Sequence, residues 1–93
     1  MNLQNLRKRI DEIDNDMIDL FQKRMDVSAE VARHKQKNNL PVHDPAREQQ
    51  KLQEISGKVK QGREAYITAL YSLIFELSRA EQERIINSSP EIV

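Results

Sequence analysis

The chain contains no cysteine, which removes disulfide frameworks, thiolate nucleophiles and zinc sites built on sulfur. It has no excess of either charge: fifteen Lys plus Arg face fifteen Asp plus Glu. No field therefore draws it onto nucleic acid or anionic lipid, and neither is expected as a partner. No apolar run approaches the ~20 residues of a membrane span, and Met1 to Ile13 is charged and periodic where a signal peptide would be continuously apolar. A soluble, cytoplasmic protein is expected. The two histidines, His34 and His43, form no recognisable dyad or metal motif. Strand signals, internal repeats and low-complexity segments are also missing. There are only two glycines and three prolines, and none of them precedes Pro41. The first forty residues thus contain no helix breaker.

The chain that remains reads as all-α, a single helical domain over residues 1–93. A very long first helix is expected over about 3–37, ending in the Asn38, Asn39, Leu40, Pro41 stretch. The second, over about 45–57, has Asp44 as its N-cap and Pro45 in the first helical position, where a missing N–H costs nothing. Leu52, Ile55 and Val59 give its inner stripe. The third follows Gly62 and spans about 63–87, with residues 88–93 expected to be a frayed tail.

Ninety-three residues, 38% of them hydrophobic, with a mean hydropathy of −0.76, can build only a modest core from one copy. Helix one is too long for such a core. At ~1.5 Å per residue it spans roughly 52 Å, whereas a compact chain of this size has a radius of gyration of about 12 Å and a diameter of about 32 Å. Its apolar seam, Leu3, Leu6, Ile10, Ile13, Met17, Leu20, Arg24, Val27 and Val31, runs the whole length at spacings of three and four. The overhanging part must be covered, most simply by a second copy in a two-fold homodimer. A lone three-helix bundle with a solvated helix end is the alternative.

Arg24 interrupts that seam. A guanidinium cannot shed its charge, so the position calls for an anionic partner from protein or ligand. Arg7, Asp14, Phe21, Ser28 and Lys35, spaced by seven, line the flank of the seam. Arg7 and Lys35 are about 42 Å apart along the axis, too far to share one small molecule. In an antiparallel pair of first helices centred near residue 20, Arg7 of one chain lies opposite about residue 33 of the other. Two equivalent sites result, each with Arg24 and Lys35 from one chain and Arg7 from its partner. Taken singly, Arg7 and Lys35 are ordinary flank charges.

Helices two and three supply further candidates. Arg47 in the first turn of helix two opposes the helix dipole, a conflict that a bound anion removes. Glu48 heads the inner line and can accept from a ligand hydroxyl or pair with a lysine, although an N-terminal-turn glutamate is usually a capping residue. On helix three, Ser78 and Gln82 interrupt the apolar line Ile67, Tyr71, Ile74 and Ile85 at i and i+4. They offer a hydroxyl and an amide donor that never titrates. Either one alone is more often a boundary residue.

Leu6-Arg7-Lys8-Arg9-Ile10 with Asp14, Arg24, Glu30-Val31, Lys35, Pro41-Val42-His43-Asp44, Arg47-Glu48, Tyr66-Ile67, Glu76, Ser78 and Gln82 together resemble the all-helical chorismate mutases of the shikimate pathway. The resemblance covers nearly the whole chain and implies an intertwined homodimer with shared active sites. It implies that Arg24 and the partner's Arg7 bind the carboxylates of a small dicarboxylate substrate, chorismate. It further implies that Arg47 and Ser78 hold the ring carboxylate, that Lys35 and Gln82 reach the ether oxygen, and that Glu48 with the Asp44 backbone meets the ring hydroxyl. The implied reaction is an intramolecular [3,3] rearrangement to prephenate in phenylalanine and tyrosine biosynthesis. It needs no cofactor and no metal. Two alternatives stay open: an isochorismate pyruvate lyase on the same scaffold, and a non-catalytic helical dimerisation or regulatory module. The last predicts an interchain acidic partner for Arg24.

Overall fold

A computed structural model, which describes residues 2–88, contains three helices: α1 over Leu3–Lys37, α2 over Pro45–Ser56 and α3 over Glu64–Ser88. No strand occurs among the described residues. Asn2 caps α1 by accepting from the Asn5 N–H at 2.8 Å, which satisfies one of the orphan donors of a helix start. The helix ends where Asn39 takes a left-handed conformation (φ 55°) and the Leu40 N–H turns back to the Lys35 carbonyl at 2.8 Å. Asparagine is one of the few side chains that tolerates that backbone.

Asp44 caps α2 as its position implies, with its carboxylate accepting from the Arg47 N–H at 3.1 Å. The α2 helix stops at Ser56, one residue before the expected end, because Gly57 serves as its C-cap. At the start of α3 the Arg63 carbonyl accepts the first helical bond, from the Ile67 N–H at 3.0 Å, so Arg63 flanks the helix instead of opening it. Gly62 just before it has φ 92°, a conformation that favours glycine. The expected frayed tail is corrected at its first residue. Ser88 is the last residue of α3 and donates its hydroxyl to the Ile85 carbonyl. Residues 89–93 lie outside those described.

The α3 helix packs against both α1 and α2, while α1 and α2 do not approach each other. The face of α1 that meets α3 is the flank, with Ser28 and Ala32 buried, and not the seam. Along the seam Ile13 is 57% exposed, Leu20 63% and Val27 55%. Among the described residues the buried apolar set is small: Ala32, Ile55 and Phe75. The molecule measures 63 × 26 × 13 Å with a radius of gyration of 17.0 Å, and 13 Å is little more than the ~10 Å width of one helix. A single layer of helices leaves its two broad faces uncovered.

Candidate active site

A cleft of about 390 Å³ opens between the C-terminal half of α1, the first turn of α2 and the middle of α3, within the size range of small-molecule sites. Helical spacing brings its walls together. Arg24, Ser28, Val31 and Lys35 follow one another by four, three and four on α1, and Phe75, Ser78 and Gln82 by three and four on α3, with Arg79 beside Ser78. Val42 in the connection and Asp44, Arg47 and Glu48 at the capped start of α2 close the remaining side.

Arg24 is half-buried, with its guanidinium 5.7 Å from the Phe75 ring centre and 6.0 Å from that of Tyr71. Those rings pack edge to face at 6.0 Å. Their π faces offset part of the cost of a charge on the seam. Among the described residues Arg24 has no carboxylate partner, nor do Lys35 and Arg47. The cleft's two carboxylates are both engaged: Asp44 caps α2, and both oxygens of Glu48 accept from Arg79 Nη1 at 2.5 and 2.6 Å. His43 Nε2 lies 4.0 Å from Glu48, and Lys51 at the rim leans toward Glu54. Three cations without a carboxylate partner around one cleft suit an anion carrying more than one charge.

A hydrogen-bonded line joins the three walls. Lys35 Nζ donates to the Val42 carbonyl at 2.7 Å and to Gln82 Oε1 at 3.1 Å, and Gln82 Nε2 donates to Ser78 Oγ at 3.1 Å. Ser78 Oγ in turn lies 2.7 Å from Ser28 Oγ. An ammonium only donates, so Lys35 fixes which way the Gln82 amide points. One N–H of Lys35 and one of Gln82 remain for a ligand. Among the described residues every buried side-chain nitrogen and oxygen has a partner.

Seven of the eight residues singled out from the sequence therefore line one cleft: Arg24, Lys35, Asp44, Arg47, Glu48, Ser78 and Gln82. Arg7 does not. It is exposed on the N-terminal part of α1, about 25 Å along the axis from Arg24. Glu48 faces the cleft, but its partner is an arginine of α3 and not a lysine. Two residues given no role from the sequence contribute, Arg79 as that partner and Ser28 as the neighbour of Ser78. A weak signal for Arg79 existed, since it follows Ser78 directly and precedes Gln82 by three. No cluster of three metal-ligating side chains is found among the described residues, and none of their helices is long and apolar enough to cross a membrane.

A family model described as chorismate mutase type II matches residues 6–83. The bifunctional chorismate mutase/prephenate dehydratase of Buchnera aphidicola subsp. Schizaphis graminum is 34% identical over 88 residues, which is 92% of this chain and 23% of that protein. The chain thus spans about a quarter of that relative's length. The chorismate mutase of Methanocaldococcus jannaschii is 41% identical over 46 residues, covering 50% of this chain and 46% of that one. The crystal structure of chorismate mutase from Helicobacter pylori in complex with prephenate superimposes with a TM-score of 0.85 at 32% identity, over 95% of this chain and 97% of that chain. A match of this breadth in both sequence and structure makes the chain a member of the type II chorismate mutase family.

Proposed function

We propose that the chain is a chorismate mutase, an isomerase that converts chorismate to prephenate in the route to phenylalanine and tyrosine, and that it works in the cytoplasm as one helical domain. The observation that carries the reading is the cleft itself. Arg24, Lys35 and Arg47, none held by a carboxylate, surround a line of neutral donors ending in Gln82 and Ser78.

The reaction needs little else. In a [3,3] shift a C–C bond forms between the enolpyruvyl arm and the ring as the ether C–O bond breaks, and no proton leaves the molecule. Catalysis then consists of folding the arm over the ring and stabilising the negative charge that grows on the ether oxygen. Arg24 and the partner's Arg7 grip the arm's carboxylate, while Arg47 and Ser78 hold the carboxylate of the ring, so orientation is imposed from both ends. The remaining N–H of Lys35 and that of Gln82 meet the ether oxygen. Glu48, fixed by Arg79, still has lone pairs with which to accept from the ring hydroxyl, beside the Asp44 backbone.

Arg7 reaches this cleft only from a second copy, and the surface of the chain supports such a pairing. Its accessible area is 7789 Å², against about 5,600 Å² for a compact monomer of this mass. The surplus, on the order of 2,000 Å², is one protomer's share of a large obligate interface. The exposed aliphatic seam of α1 is the surface it would cover. Purified protein incubated with chorismate should consume it and yield prephenate. Failure of a folded dimer to do so overturns the reading, and release of salicylate and pyruvate from isochorismate instead would assign it to lyase chemistry.

A further inference from the structure

Ser28 belongs to no part of the mechanism above, yet it is one of the most enclosed polar side chains of the molecule. It is 6% exposed, and its Oγ lies 2.7 Å from the Oγ of Ser78, itself 8% exposed. At that distance either hydroxyl could be the donor. The valences of the neighbours restrict the choice. A serine hydroxyl has one proton to give and two lone pairs with which to accept. One lone pair of Ser78 is already filled by Gln82 Nε2, whose direction Lys35 fixes.

The proton of Ser28 also has few places to go. Thr68 returns its hydroxyl to the carbonyl four residues back, at 2.7 Å, the usual outlet for a hydroxyl inside a helix. Ser28 makes no such bond among the described residues, and Ser78 Oγ is its one recorded hydrogen-bond partner. If Ser28 donates to Ser78, both lone pairs of Ser78 are occupied, and its single proton must be given to something else. The cleft that both serines line is the open space into which that proton can be given.

We propose that Ser28 is a positioning residue that commits Ser78 to donating its hydroxyl proton into the cleft, so that the site accepts a carboxylate there. The inference rests on the reading of the cleft as a chorismate site, in which Ser78 meets the ring carboxylate. Proton order then runs from Lys35 through Gln82 to Ser78 and from Ser28 to Ser78, and all of it converges on the anion. The opposite order, Ser78 donating to Ser28, would make the two serines compete with the substrate for one proton.

The two orders predict opposite signs. Steady-state kinetics with chorismate are compared for the wild type, Ser28→Ala, Ser78→Ala and the double variant, with thermal midpoints measured alongside. Ser28→Ala should raise KM by roughly five-fold, the net value of about one hydrogen bond, and change kcat by less than about two-fold. In the Ser78→Ala background the same substitution should have no further effect on KM, which a merely structural role would not produce. A lower or unchanged KM in Ser28→Ala, or an equal effect with and without Ser78, overturns the proposal while leaving the mutase reading intact. A wild-type protein that does not turn over chorismate at all removes the mutase reading, and this inference with it.

Discussion

Arg24 carries a permanent charge among aliphatic neighbours, and the rings of Tyr71 and Phe75 bear only part of its cost. The rest is expected to come from substrate. Arg24→Ala should keep the helical fold, because an apolar side chain suits the seam, and should lower kcat/KM by at least about a hundred-fold. Circular dichroism and a chorismate assay check the two halves, and activity within a few-fold of wild type would locate the site elsewhere. Gln82 gives a pH test. The native amide donates at every accessible pH, whereas in Gln82→Glu the donor exists only while protonated, and the ionised form sets a negative charge against the developing oxyanion. The variant's kcat/KM should fall as pH rises through its carboxyl pKa, while the wild type shows no such limb. A flat profile at native-like rates for the variant would mean that position 82 does not face the breaking bond. Arg79 acts on stability as well as on the site. Its removal leaves Glu48 part-buried without the Nη1 donor that both its oxygens share, so Arg79→Ala should cost about 1–3 kcal/mol in thermal or urea unfolding. Adding Glu48→Gln should recover part of that loss, and an additive double variant would contradict the pairing. At this scale the sequence is legible where a residue contradicts its surroundings. Arg24 on a seam, Arg47 at the wrong end of a helix dipole and the polar pair Ser78 and Gln82 on an apolar stripe all announce themselves. Arg79 and Ser28 do not, because an arginine or a serine on a helix contradicts nothing until its partner, 31 or 50 residues away, is known.

Helix α1 was legible for a plain reason: nothing between Leu3 and Lys37 can break it, and Asn2 and the Asn38-Asn39 pair stand at its ends. The N-cap of α2 was legible too, whereas its end falls one residue early at the Gly57 C-cap and the start of α3 shifted by one residue because the turn at Gly62 decides where the chain becomes helical. Which face of α1 meets which neighbour was harder to read. Seam and flank lie side by side on the helix, and hydrophobicity alone points to the seam as the buried surface. Within one chain it is the flank, through Ser28 and Ala32, that packs on α3. Small side chains there allow close approach, and the seam is left exposed. Leu20→Glu therefore tests the element directly. Leu20 is 63% exposed in a single chain, so a lone bundle should tolerate the charge. Burial in a dimer should not, and the dissociation constant of the assembly should rise by at least about ten-fold. Sedimentation equilibrium reads the change, with Gln22→Glu, off the seam, as the control. Equal association of the two variants would remove the seam from the interface.

A chain 63 Å long and 13 Å thick buries only Ala32, Ile55 and Phe75 among its described apolar residues, so in the proposed dimer stability and activity depend on the same event at the scale of the whole molecule. In that dimer, pairing would cover the seam and, in the same step, carry Arg7 of each chain to the cleft of the other. The cleft was legible from sequence because helical spacing groups its residues within one chain. The proposed pairing rests, in the sequence, on an excess of helix length and on the apolar seam that continues into it. The most direct test of a shared site mixes two inactive proteins. Arg7→Ala and Lys35→Ala homodimers should each lack activity, as every site has lost one member. Mixed after reversible unfolding, they form heterodimers in which the Arg7-deficient chain's own Lys35 meets the intact Arg7 of its partner, and one of the two sites is whole. Random pairing of equal amounts should restore about one quarter of the wild-type activity per chain. Heterodimers verified by mass and still inactive would contradict the shared site.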